Sequence, residues 1–189
     1  MPRIIQGLDN KRLSGQTVTT TTAVPLTKVG DTSGAGTTFT ATTVVDAAAW
    51  DLSGIEVGDV AVTSDGYKGI IKAINDGADT LTLDNDKGWM DPNGKQGRLG
   101  SDVKPADGST VTIHRVAQCK SILVKMLAGN ADDIRVGLNG VAVATDFPVA
   151  AGANIMLFHP QAQKHLDVTN VYIRADSGTL TAAWMVITQ

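Results

Sequence analysis

The chain has 189 residues, and several residue types are scarce in it: a single cysteine, 4% aromatics and three histidines. One cysteine excludes an internal disulfide, so stability must come from packing and subunit contacts. Cys119 sits in an apolar strand pattern (Cys-Lys-Ser-Ile-Leu-Val-Lys-Met-Leu), which reads as a small buried hydrophobe rather than a reactive thiol. No dense run of Lys or Arg occurs, and the net charge is −3. Both facts argue against phosphate-driven nucleic-acid binding and against a polybasic membrane patch. No apolar run approaches the roughly 18 residues of a membrane-spanning helix. The opening Met-Pro-Arg-Ile-Ile-Gln-Gly lacks the apolar stretch of a signal peptide, so a chain made and kept soluble is expected. Helical periodicity is nearly missing too. Only Ala47-Ala48-Ala49-Trp50, with Asp46 as an N-cap, offers a helical turn.

What is present is period-two alternation broken by Gly, Asn and Asp, the pattern of an all-β protein. The hydrophobic fraction is 42%, mostly Val, Ile, Leu and Ala, which is enough for a core. Three segments are expected. Residues 1–24 form an extended N-terminal arm, with apolar Ile4, Ile5 and Leu8 and a threonine-rich stretch from Thr17 to Thr22. Threonine suits extended backbone, so the arm is either a polar tail or a strand that pairs with a neighbouring subunit. Residues 25–116 form a small β-barrel or sandwich. Its Gly30–Gly36 stretch reads as a loop, and Asp65-Gly66 as a type I′ hairpin turn. A long loop, 86–109, carries Trp89 and Met90, which either fold back on the barrel or dock on a partner. Residues 117–189 form an antiparallel β-sandwich, jelly-roll-like, with Asn139-Gly140 as a hairpin and Pro148 to Gly152 as punctuation. Its last strand is apolar on both faces: Leu180, Ala182, Trp184 and Val186 on one, Ala183, Met185 and Ile187 on the other. Such a strand is expected to be covered on both sides, the second cover being the first domain or another subunit.

Signals for chemistry are weak. His114, His159 and His165 have no metal-ligand spacing. The Gly-x-Ser-x-Gly elbow is absent, and Gly30-Asp-Thr-Ser-Gly34-Ala-Gly36 lacks the Lys-Ser/Thr of a phosphate loop. Asp84-Asn-Asp86 and Asp91-Pro-Asn93-Gly resemble scraps of calcium loops, but Gly88 and Trp89 fall where a ligand and a glycine are needed. Trp89 with Asp86, Asp91 and Asn93 is the one cluster that suggests a sugar platform. No enzyme, cofactor or metal is expected.

The stretch beginning Cys119-Lys-Ser-Ile-Leu-Val-Lys-Met-Leu-Ala-Gly-Asn-Ala-Asp-Asp-Ile-Arg-Val-Gly-Leu-Asn-Gly-Val141 continues through Pro148-Val-Ala-Ala-Gly-Ala-Asn-Ile-Met-Leu157 and Leu166-Asp-Val-Thr-Asn-Val-Tyr-Ile-Arg-Ala-Asp-Ser-Gly-Thr179. Residues 119–188 thereby resemble the β-sandwich domain of tailed-bacteriophage head-decoration, or cement, proteins. Val57-Gly58-Asp59-Val60 is similar, less distinctively, to small barrels of phage structural proteins. The resemblance implies a non-enzymatic virion protein on the capsid surface, homotrimeric, that clamps the major capsid protein and carries no catalytic residues. Such a protein assembles in the host cytoplasm, which the lack of a signal peptide still allows. Ile4, Ile5, Leu8, Trp89, Met90, Met185 and Ile187 are the expected capsid or subunit contacts. Tail, neck or fibre components share the same sandwich, and a carbohydrate-binding module is the alternative of another kind.

Overall fold

Alternating β-branched and small residues dictate extended backbone, and the fold is all-β with only two three-residue 3-10 turns among the described residues. In this computed structural model the described residues are 13–32, 36–46, 50–84, 86–97, 102–115, 118–138, 146–158 and 165–187. The expected helical turn at 47–49 and the Asn139-Gly140 hairpin lie outside them, as does His159.

The chain divides into two units, Met1–Thr27 with Val116–Gln189, and Lys28–Arg115. The first opens with β1 (Leu13–Thr19) and β2 (Val24–Pro25). The chain then enters the second unit through β3 (Lys28–Asp31), β4 (Thr37–Phe39), β5 (Thr43–Asp46), β6 (Val60–Thr63), β7 (Lys68–Asn75), β8 (Thr80–Leu83) and β9 (Val111–His114). It returns to the first through β10 (Gln118–Cys119), β11 (Ser121–Met126), β12 (Ile134–Gly137) and β13 (Phe147–Val149). The remaining strands are β14 (Asn154–Phe158), β15 (Leu166–Asp167), β16 (Tyr172–Ala175) and β17 (Leu180–Ile187).

The first unit is a sandwich of two four-stranded antiparallel sheets, ordered β1-β17-β11-β14 and β13-β12-β16-β2, with a small β10-β15 pair. Alternate residues of facing strands make its core: Ile122, Val124, Met126, Ala182, Trp184 and Val186 from one sheet, Ile134, Val136, Ile173 and Ala175 from the other. Of the segment expected as an arm, 1–24, residues 1–12 lie outside the described residues, while 13–19 belong to the sandwich. Strand β1 pairs along its whole length with β17 of the same chain, Leu13 opposite Val186 and Thr19 opposite Leu180. Its threonines are the reason. Thr17 and Thr19 point inward and are buried, while Val18 points out. The Thr17 hydroxyl donates to the Leu26 carbonyl and accepts from the Trp184 indole N–H at 3.1 Å. The Thr19 hydroxyl donates to the Ile173 carbonyl of the opposite sheet at 3.1 Å. Each buried hydroxyl is thus satisfied, and a polar strand becomes part of the core. Gly15 is required beside it, since a Cβ there would lie 2.5 Å from the Trp184 ring. Pro148 also departs from expectation. It lies within β13 rather than ending a strand, which an edge position permits.

The second unit is a seven-stranded antiparallel sheet, β3-β9-β6-β7-β8-β5-β4. Strand β7 pairs with β6 through Ile70 and with β8 from Ile71 onward, and a bulge between Ile71 and Ala73 marks the change. This bend wraps the sheet around Phe39, Val44, Ile71, Leu81, Leu83, Trp89, Val111 and Ile113. Gly30 and Asp31, expected in a loop, instead pair with Ile113 and Thr112. The β6–β7 hairpin forms where expected, but its turn is not type I′. Only Gly66 has positive φ (+88°), and its N–H donates to Thr63, while Thr63 N–H donates to Tyr67. This is a type I turn closed by a glycine bulge, which asks for one left-handed residue instead of two.

Candidate functional site

The structure separates the expected contact residues. Ile4, Ile5 and Leu8 lie outside the described residues, and so does the side chain of Ile187. Trp89 is 0% exposed, so of its two expected fates it takes the first, folding back on the barrel, and is not placed as an exposed docking residue. Gly88 explains how the loop brings it inside. Its φ is +50°, and a Cβ on it would lie 2.5 Å from the Ala41 carbonyl oxygen, so the backbone passes hard against the 40–42 turn. The Trp89 ring then meets Phe39 edge-on, with centroids 5.6 Å apart, and its indole N–H donates to the Thr40 carbonyl at 3.1 Å. Met90 is half-buried and exchanges backbone hydrogen bonds with Lys68 at 2.8 and 3.0 Å, as a short strand would.

The same burial removes the sugar platform. The nearby carboxylates serve turns: Asp84 accepts from the Asp86 N–H, and Asp91 accepts from the N–H groups of Asn93 and Lys95. Among the described residues no cluster of His, Cys, Asp and Glu could hold a metal. Burial pushes the Cys119 thiol up to about 12, so it carries no thiolate character. One carboxylate is unusual. Asp59 is buried, and that burial pushes its pKa up to about 6, against the opposing pull of the Glu56 N–H and of Arg115. Arg115 lies 3.4 Å from Asp59, pairs with Glu56, and donates to the Gly54 carbonyl at 2.7 Å. It clamps the 54–59 loop onto the end of β9.

The outer face of the β1-β17-β11-β14 sheet is the remaining feature with functional content. Register places Ser14, Met185, Leu123 and Met156 side by side across all four strands. The next row joins Ile187, Ser121 and Phe158, and the row on the other side joins Gln16, Ala183, Lys125 and Asn154. Met185 and Leu123 are half-buried, Met156 is 49% exposed and Phe158 66% exposed. At the β1 side of this face lies an open hollow of about 420 Å³ around Ala183, walled by Leu123 and Met185. Of the expected contacts, then, Met185 belongs to this face and the Ile187 position falls in register with it. Leu123, Met156 and Phe158 were missed. The signal for Met156 and Phe158 was present in Asn154-Ile-Met-Leu-Phe158, apolar at both parities just as β17 is, and that for Leu123 in the run Ile122-Leu-Val124. Ala183, Met185, Leu123, Met156 and Phe158 thus adjoin on an outer sheet face that also carries Ser14, Gln16, Ser121, Lys125 and Asn154; grouped apolar side chains of this kind are a candidate contact surface.

Comparison with known proteins finds no matching family model, no similar curated protein and no similar solved structure.

Proposed function

We propose that the protein is a non-enzymatic structural protein of a tailed-phage virion, which binds the outer capsid surface and bridges subunits of the major capsid protein. The observation that carries this reading is the apolar outer sheet face from Met185 to Phe158, a surface made for assembly rather than for turning over a substrate. The resemblance of residues 119–188 to head-decoration domains supplies the setting. Adhesion is the mechanism. Apolar area removed from water contributes roughly 25 cal/mol per Å² before the costs of association, and many copies acting together resist the pressure of the packaged genome. Self-association as a homotrimer, seated on local threefold axes of the shell, belongs to the same reading. Ile4, Ile5 and Leu8, ahead of β1, and Met185 and Ile187 on β17 are its contact residues.

The test is particle composition. Quantitative mass spectrometry of purified virions should find the chain at hundreds of copies per particle, and the free protein should sediment with heads. Absence from particles would end the reading, and a few to a few dozen copies would move it to the tail or neck.

A further inference from the structure

The sandwich has two flanks, each formed by one edge strand from either sheet. At the first, β1 and β2 follow each other in the chain, and polar bonds tie the sheets together. The Thr17 hydroxyl donates to the Leu26 carbonyl, the Thr19 hydroxyl to the Ile173 carbonyl, and the Ala175 N–H to the Thr20 carbonyl at 2.7 Å. At the second, β13 and β14 are joined by the short turn 150–153, so these two edges also lie on one side. Here apolar side chains stand in water instead. Phe147 is 56% exposed, Met156 49% and Phe158 66%. The chain has only three phenylalanines, and two of them are spent on this flank.

Hydrogen-bond parity decides which backbone groups are free there. In an antiparallel pair, residues alternate between those bonded to the neighbour and those directed away from it. The Met126 N–H donates to the Ala153 carbonyl at 3.0 Å, and the register carries that phase along β14 to Ile155 and Leu157. Asn154, Met156 and Phe158 therefore turn their N–H and C=O groups to the outer edge, where no strand pairs with them among the described residues. On β13 the result is different. The Asp176 N–H donates to the Asp133 carbonyl, which makes Ile134 and Val136 the β12 residues bonded to β13 and leaves Pro148 facing outward. Proline has no N–H, so the β13 edge offers an incoming strand no donor. Edges are commonly guarded by proline, charge or a bulge. Strand β14, Asn-Ile-Met-Leu-Phe, has none of these.

We propose that the β14 edge accepts one extended segment of another protein as a fifth strand of the β1-β17-β11-β14 sheet. The backbone of that segment pairs with Asn154, Met156 and Phe158, and its side chains alternate between the two sides of the sheet. On one side they meet Met156 and Phe158. On the other they meet Phe147, which shares the core-facing parity of Val149 yet is left uncovered. Both sides are apolar and neither edge strand is charged, so the segment it fits is apolar at successive positions along the five residues of β14. The chain's own N-terminal segment does not match, because its Ile4-Ile5 pair is bounded by Arg3 and Gln6. A second sandwich joined through both sheets needs donors that β13 lacks. The inference deepens the proposed function and rests only on its claim of a protein partner.

Random dodecapeptides, selected by messenger-RNA display on the immobilised full-length chain, provide the test. Enriched peptides should share an apolar run free of proline, and binding should protect the amides of Asn154, Met156 and Phe158 from hydrogen exchange. Met156→Pro removes an outward N–H and leaves the ladder to β11 intact, so circular dichroism should be unchanged while affinity falls roughly tenfold or more, as loss of a central anchor does. Phe147→Ser and Phe158→Ser should each do the same. N-methylation of alternate peptide residues should abolish binding with the protein itself unaltered. Three results would overturn the proposal: selection that enriches the same sequences on Met156→Pro, binding that leaves the three amides unprotected, or a wild-type self-association that Met156→Pro abolishes, which makes the occupant a second copy. The readout uses the purified chain, so its failure is read separately from absence of the chain in particles.

Discussion

Trp89 is enclosed by Phe39, the Thr40 carbonyl and the residue-41 backbone, so replacing it with alanine opens a cavity and removes a hydrogen bond at once. Trp89→Ala should cost about 3–5 kcal/mol of stability in the second unit, measured by urea denaturation. Asp59 makes a second prediction. Its folded pKa of about 6 stands above the ordinary carboxylate value of about 4. Between those values the folded chain holds a proton that the unfolded chain has released, so stability falls as pH rises through that window. Asp107 and Asp176 act in reverse. Bonds to the Phe39 N–H and to Lys104 depress Asp107, and bonds to Arg135 depress Asp176, so their contributions are lost as pH falls through the folded values. Melting of the second unit should therefore rise from pH 7 to pH 5, and Asp59→Asn should flatten that rise. Scanning calorimetry at the two pH values decides it. That Trp89 needed a cover was legible in the sequence. Which cover it found was not, because the deciding partners, Gly88 at positive φ and the carbonyls of the 40–42 turn, lie far apart along the chain.

Strand β1 shows why the threonine-rich segment was misjudged as an arm. Polarity reads as exposure when a hydroxyl has no visible partner, and the partners here are Trp184, Leu26 and Ile173, the nearest of them nine residues away. Deleting residues 1–19 should strip β17 of a neighbour along its full length and abolish cooperative melting of the sandwich, followed by far-ultraviolet circular dichroism. A smaller change probes the same element. Gly15→Val drives a side chain into the Trp184 ring and should destabilise by about 1–3 kcal/mol, the usual cost of overpacking. The doubled apolar faces of β17 were, by contrast, plain from residue parity. Alternation within one strand is local information, whereas the register that lines up Met185 with Leu123 and Met156 is set by partners elsewhere in the chain.

For the whole molecule, the proposed self-association predicts that stability depends on concentration, because a partner that binds only the folded chain draws the equilibrium toward it. The melting temperature of the sandwich should climb as protein concentration is raised a hundredfold. Domain order was the least legible property. The pairing of Leu13 with Val186 spans nearly the whole chain, and nothing in either segment names the other. That same pairing sets a timetable. A ribosome delivers β1 before the inserted unit and its partner β17 well after it, while everything the inserted unit needs, Lys28–Arg115, emerges as one uninterrupted stretch. The inserted unit is thus free to fold while the sandwich still waits for its closing strand. Pulse-labelled hydrogen exchange on stalled nascent chains ending near residue 150 should find β6, β7 and β8 already protected and β1 still exchanging freely.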